Sequence, residues 1–219
     1  MRTYDDTYRH KGLRKKLVDI IREKKITDQR VLDAIGAIPR HFFLDSAFDE
    51  VAYEDRAFPI AVGQTISQPY TVAYQTQLLE VKPFEKILEI GTGSAYQCSV
   101  LAEMGAQVFT IERQKELFES NKKSGFIKKY NNIKFFYGDG YEGLPTYAPF
   151  DKVIITAAAP VIPPKLIAQL KTGGKMVIPF GDPEEVQTML RLTKLADGST
   201  AEETFANFSF VPMKTGKEK

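Results

Sequence analysis

One cysteine, Cys98, stands in a chain of 219 residues. No disulfide can form within the chain, and a reducing compartment is expected. Tryptophan is absent and histidine occurs only at His10 and His41; with no clustered cysteines, a zinc centre has little to stand on and no metal is expected. Thirty Lys and Arg against 28 Asp and Glu leave a formal charge of +2. That excess is too small, and its residues too scattered, to set up the field that a nucleic-acid partner requires. Long hydrophobic runs are missing as well. The longest uncharged apolar stretch, 153–164, spans 12 residues and holds three prolines, which excludes a bilayer crossing there. The N-terminus is polar and charged from Met1 to Lys16, so no secretory signal is read and a cytoplasmic location is expected.

What is present is ordinary globular material, 43% hydrophobic and 26% charged, enough for one full α/β domain with an elaboration. Two regions differ in character. Up to residue 81 the pattern is helical with irregular connections: Leu13, Leu17, Ile20 and Ile21 recur at helical spacing. Thr27 then stands where a helix N-cap belongs, ahead of the stripe Val31, Leu32, Ile35 and Ile38, which Pro39 ends. From residue 82 to 219 strands alternate with helices, the pattern of a doubly wound sheet. Strands are expected at 86–90, 107–112, 133–137, 152–156 and 175–180, and helices at 96–104, 114–123 and 164–170. Gly105 and Gly125 fall at expected helix stops, and Gly173-Gly174 at a turn into the fifth strand. The stretches 187–195 and 203–211, joined at Asp197-Gly198, are read as an antiparallel hairpin closing one edge.

The segment Leu88-Glu89-Ile90-Gly91-Thr92-Gly93-Ser94-Ala95-Tyr96-Gln97 carries the chemistry. It reads as strand, glycine turn and helix start, the layout of a nucleotide-type cofactor site, where glycines let backbone approach a ligand. Glu112 ends the next strand, 21 positions after Gly91, a spacing at which a carboxylate meets a ribose diol. A dinucleotide site would place glycine at position 96, where this chain has Tyr. Glu89, two residues before the first glycine, would also repel a pyrophosphate. A cofactor with a cationic centre and a free amino group suits a carboxylate there, and S-adenosylmethionine meets that description. Gly138-Asp139-Gly140 after the third strand completes a pattern that resembles class I methyltransferases, in which such an acid faces the adenine amino group.

A second set of motifs narrows the resemblance. Gly63-Gln64-Thr65-Ile66-Ser67-Gln68-Pro69 resembles the signature of the protein-L-isoaspartate (D-aspartate) O-methyltransferases. So do Ile38-Pro39-Arg40-His41-Phe42-Phe43, Ala52-Tyr53-Glu54-Asp55, Thr156-Ala157-Ala158 and Phe210-Val211-Pro212-Met213, in order over about residues 8–213. The departures are Ala95 and Ala61, where the family usually or often has glycine. The resemblance implies a mostly parallel seven-stranded sheet of the class I methyltransferase type, with an antiparallel C-terminal hairpin and an N-terminal helical extension. It implies S-adenosylmethionine as cofactor, S-adenosylhomocysteine as product, and peptides or proteins containing isoaspartyl residues as partners, with a monomer expected. For the cofactor it points to Ser67, Glu89, Gly91, Thr92, Gly93, Glu112, Arg113, Asp139, Gly140 and Thr156; for the substrate, to Thr65, Ile66, Ser67, Val211 and Pro212. Val211-Pro212-Met213 is expected to fold back towards the site, and 214–219 to fray as a polar tail.

The reaction so implied needs no general base, because an α-carboxyl with a pKa near 3.5 is already ionised at neutral pH. That agrees with a chain offering no histidine near its glycine loop. A neutral hydroxyl could align the carboxylate without blunting it as a nucleophile, and Ser67 is the candidate catalytic residue. Spacing alone equally allows Ser67 to be a turn or helix-cap residue ahead of Pro69.

Overall fold

Short apolar runs alternating with amphipathic segments produce the architecture of the computed structural model, which describes residues 5–218. Two helices come first, α1 (Tyr8–Glu23) and α2 (Gln29–Ala37). A two-stranded ribbon of β1 (Phe58–Pro59) and β2 (Thr65–Ile66) leads into α3 (Pro69–Leu79). The alternating part follows as β3 (Lys86–Ile90), α4 (Tyr96–Glu103), β4 (Gln107–Glu112), α5 (Lys115–Lys123), β5 (Ile133–Tyr137) and β6 (Phe150–Ile155). After α6 (Pro164–Ala168) come β7 (Leu170–Phe180), β8 (Gln187–Lys194) and β9 (Thr200–Phe208). The last seven strands form one sheet in the order β5-β4-β3-β6-β7-β8-β9. The first five in that order are parallel, and β8 and β9 continue as an antiparallel hairpin. The expected sheet, hairpin and N-terminal helices are therefore all present.

Side-chain alternation shows how both faces are covered. Ile87 and Ile154 enter one hydrophobic cluster, whereas Leu88, Ile90, Val153 and Ile155 enter the other. The first cluster also holds Leu17, Ile21, Val31, Ile35 and Leu79, so α1, α2 and α3 share a continuous core with one face of the sheet. The chain leaves β3 towards β4 on one side, while β6 pairs with β3 on the other. This reversal opens a crevice beyond the carboxyl ends of the strands, where ligands of doubly wound sheets sit.

Several local expectations are corrected. The N-cap of α2 is Asp28, whose carboxylate accepts the Arg30 amide at 3.0 Å, while the amides of Thr27 and Asp28 donate to Gln77 at 2.7 and 2.9 Å. Ile20 of α1 points outward, and Arg14 is buried instead. Its guanidinium is satisfied there by Gly36 O at 2.7 Å, Asp6 at 3.0 Å and Tyr53 Oη at 3.1 Å. Gly125 does not stop α5; Ser124 takes the cap position, its amide donating to Ser120 O and Asn121 O. Gly173-Gly174 is no turn. β7 already begins at Leu170, and the glycines lie where its pairing with β6 shifts register. A Cβ on Gly174 would come within 2.9 Å of the carbonyls of Lys171 and Asp151, so the irregularity needs glycine.

Candidate active site

The turn after β3 is built from unusual backbone. Gly91 has φ +95° and Gly93 φ +53°, and a Cβ on Gly91 would stand 2.7 Å from Thr156 Oγ1. Ala95, where the family usually has glycine, also takes a left-handed conformation, φ 67° and ψ 15°, at the N-cap of α4. That strain, about 1–2 kcal/mol for an L-residue, is set against full burial of its methyl and bonds from Ser99 Oγ (2.8 Å) and Cys98 Sγ (3.1 Å) to its carbonyl. Cys98 is thus a buried packing residue, as expected.

Glu112 ties the turn to β4. One carboxylate oxygen accepts Gly93 N at 2.8 Å and the other Gln114 N at 2.8 Å. Burial raises its pKa despite those amides. The hydroxyl of Thr156, at the end of β6, lies 2.9 Å from Ile90 O and 2.7 Å from Gly91 O. Turn, acid and hydroxyl so form the floor of a concave cavity at the carboxyl ends of the strands, the place where ligands of such sheets sit.

Of the expected cofactor residues, Gly91, Thr92, Gly93, Glu112, Arg113, Gly140 and Thr156 line this cavity. Thr65, Ile66 and Ser67 line it from the side of β2, and Val211 and Pro212 from the returning C-terminal segment. That segment folds back through Ala158, whose amide donates to Val211 O and whose carbonyl accepts Met213 N, both at 2.8 Å. Glu89 and Asp139 do not line the cavity. Glu89 lies fully buried beneath the turn. Asp139 accepts the amides of Tyr141 at 2.9 Å and Gly216 at 2.6 Å.

The bond to Gly216 belongs to a further correction. Residues 214–218 do not fray; they lie across the ends of β4 and β5. Glu218 N donates to Arg113 O at 2.8 Å, its own carbonyl accepts Tyr137 Oη at 2.7 Å, and its carboxylate pairs with Arg113 at 2.9 Å. Arg113 is therefore held by the strap while it borders the cavity. Among the lining residues that sequence reasoning missed, Tyr96 and Gln97 stand in the first turn of α4. Their position just after the glycine turn was the available signal. Gln97 Nε2 donates to Thr76 Oγ1 at 2.9 Å, whereas its buried Oε1 has no partner among the described residues.

Glu89 is the most perturbed acid. Thr110 Oγ1 donates a short hydrogen bond to Oε2, and Oε1 is unpartnered among the described residues. Burial, with the like charge of Glu112 adding, pushes its pKa up to about 8. A carboxyl raised in the folded state binds a proton that the unfolded chain has lost, so its stabilising contribution is full below about pH 4.5 and disappears as pH rises through 8. In the ligand-free protein, the stability gap between Glu89→Gln and wild type should therefore shift towards the variant by a few kcal/mol from pH 5 to pH 8, read by urea unfolding. A gap constant with pH would contradict the assignment.

A second, wider groove adjoins the cavity. Lys24, Asp55, Arg56, Tyr70 and Phe208 line it, and it shares Thr65, Ser67, Thr156 and Val211 with the first. Ser67 is half-buried at this junction, and its hydroxyl makes no hydrogen bond among the described residues. The capping role that spacing allowed it goes elsewhere: Asp55 accepts Tyr70 N at 2.8 Å and Gln68 Nε2 at 3.1 Å, and pairs with Lys24 at 2.6 Å. Ser67 is thus free of structural duty at its side chain.

A parallel sheet with a glycine turn at its switch strand, an acid ending the next strand and a cavity over both is the arrangement of a class I methyltransferase. The model of the protein-L-isoaspartate(D-aspartate) O-methyltransferase family matches residues 12–218, and the chain belongs to that family. It is 56% identical over 214 residues to the protein-L-isoaspartate O-methyltransferase of Cytophaga hutchinsonii, covering 98% of this chain and 96% of the relative. With the enzyme of that name from Flavobacterium johnsoniae it shares 54% over 216 residues, 97% of this chain and 99% of the relative. A solved protein-L-isoaspartate O-methyltransferase superposes with a TM-score of 0.82 at 24% identity, over 91% of this chain and 65% of its own. A Plasmodium falciparum protein of that type, solved with S-adenosyl-L-homocysteine, gives 0.78 at 24%, over 92% and 98%. These two structures establish the shared fold.

Proposed function

We propose that the chain methylates the α-carboxylate of L-isoaspartyl residues in damaged proteins, S-adenosylmethionine occupying the cavity over the glycine turn and the peptide the adjoining groove. The observation that carries this reading is the junction, where Thr65, Ser67, Thr156 and Val211 border both spaces. When bound, the cofactor supplies a methyl group on a positively charged sulfur. The lining suits such a ligand: Gln97 Oε1 is a buried acceptor with no partner among the described residues, fit for a cationic neighbourhood. Gly140 lets its loop pack closely on β3 beside the cavity, since a Cβ there would stand 2.4 Å from Ile90 Cγ2.

Ser67 is assigned the hydroxyl that donates to one oxygen of the acceptor carboxylate and turns the other towards the methyl. Alignment with water excluded is then the main source of rate, because the nucleophile arrives ionised. Thr65 and Val211 border the groove and hold the peptide, with Ile66 and Pro212 next to them on the cavity side, so region 1–81 supplies one wall of the acceptor site and region 82–219 the other wall and the cofactor side. The same groove would admit the β-carboxyl of a D-aspartyl residue. The ester product closes to a succinimide as the adjoining backbone amide nitrogen gives up its proton and attacks the ester carbonyl, methanol leaving, which begins repair. No helix among the described residues is long and apolar enough to cross a membrane; with one cysteine and little net charge, the reading is completed by a cytoplasmic monomer acting without nucleic acid.

The test is transfer of labelled methyl from S-adenosylmethionine to a synthetic isoaspartyl peptide and to its aspartyl twin. Labelling of the first alone is expected. Equal labelling of both would sink the reading, and strong labelling of an RNA with none on the isoaspartyl peptide would select a different acceptor.

A further inference from the structure

Arg40 is fully buried, in the short helical turn after α2. A buried guanidinium normally faces a carboxylate, since removing a charge from water is costly unless it is paired. Among the described residues its three hydrogen bonds all go to main-chain carbonyls: Nε to Ala52 at 3.0 Å, Nη1 to Ser67 at 3.0 Å and Nη2 to Arg56 at 3.2 Å. Its flat face lies 5.1 Å from the ring centre of Tyr96. An apolar side chain would fill the space at lower desolvation cost, and a lysine could reach few of those carbonyls, so it is the planar fork that the site uses.

Two of the three carbonyls, and the ring, belong to residues of the site. Arg56 lines the groove, Ser67 stands at the junction, and Tyr96 lines the cavity. Ile66, just before Ser67, is buried in the core. The ribbon that carries Ile66 pairs only two residues on each strand, and its strands are joined through left-handed backbone at Val62 (φ 51°) and Gly63 (φ 67°). Asp55 fixes the residues just after Ser67, whereas Arg40 fixes Ser67 itself.

We infer that Arg40 is a positioning residue for methyl transfer, its guanidinium referencing the Ser67 segment, the groove wall and the cofactor wall to one fixed point. The inference rests on the proposed role of Ser67. Arg40→Lys keeps the charge and loses the fork. With saturating isoaspartyl peptide and S-adenosylmethionine, its kcat should fall about tenfold or more, as small misplacements at reacting groups do. Its Kd for S-adenosylhomocysteine should stay within about twofold, because a lysine cation can still face the Tyr96 ring on the cofactor wall while the forked bonds to the Ser67 and Arg56 carbonyls are lost. In Arg40→Ala, purified with guanidinium present, dialysing the ion away should lower turnover and millimolar guanidinium should restore it, which also serves if the lysine variant folds poorly.

Arg40→Lys added to Ser67→Ala should cost little more than Ser67→Ala alone, both acting on one alignment. Wild-type kcat in Arg40→Lys, or losses of kcat, affinity and thermal stability together without guanidinium rescue, would overturn the inference alone. Full turnover in Ser67→Ala would overturn the role of Ser67 and the inference with it.

Discussion

Replacing Gly91 by valine is expected to weaken S-adenosylhomocysteine binding by more than about 100-fold in titration calorimetry, a loss of roughly 2.7 kcal/mol or more. Two independent penalties meet at this residue. Its φ of +95° lies where L-residues are strained and β-branched ones most of all. Its new Cβ would also stand 2.7 Å from Thr156 Oγ1, itself anchored to Ile90 O and Gly91 O. Either the turn rotates into the cavity or Thr156 gives up its carbonyls. Both outcomes alter the floor on which the cofactor is proposed to lie. Gly12→Ala is the matching control, since a Cβ at Gly12 on α1 meets nothing within 4 Å. Unchanged affinity in Gly91→Val would remove the glycine turn from the cofactor site.

Ser67→Ala should lower kcat on an isoaspartyl peptide by about 100-fold, the loss typical when one preorganised donor to a reacting oxygen is removed. The Kd for S-adenosylhomocysteine should change little. This split follows from the position of the hydroxyl, which borders both spaces and has no structural partner among the described residues. Because Asp55 caps α3 and Arg40 holds the Ser67 carbonyl, truncating the side chain leaves the local fold in place. Steady-state rates at saturating cofactor, alongside calorimetry on the same protein, give the comparison. Undiminished turnover would strike Ser67 from the catalytic residues.

Elements whose cause is local were legible in the sequence. Lys86–Ile90 and Gln107–Glu112 emerge at the boundaries that their apolar runs set, and the glycine turn between them sits where its composition demands. The β6 and β7 strands are longer than expected because Phe150 and Leu170 pair with each other across a register shift, which neither residue's neighbours announce. Glu89 was legible as an acid beside the turn, but its burial follows from the place of β3 between β4 and β6, and its partner, Thr110, comes from the next strand. Ser67 was ambiguous for a similar reason: whether it caps a helix depends on Asp55, twelve residues earlier in the chain. The polar tail misled because docking against Arg113 and Tyr137 uses main-chain groups, which composition does not display. Arg40 read as one of a family segment, and nothing local marks an arginine whose partners are three carbonyls from two other segments.

The Thr156 hydroxyl and the Ile90 carbonyl that close the cavity floor stand 66 positions apart in the chain. Strand β6 must thread in beside β3 before they can meet, a late and entropically expensive loop closure in a parallel sheet. Partly folded forms that have built only β3, β4 and β5 lack Thr156 and the returning wall of Val211, Pro212 and Met213 in the cavity proposed for the cofactor. Ligand stabilisation by mass action therefore falls on the fully threaded chain alone, so that supply of the methyl donor acts as a folding reward given only for completed topology.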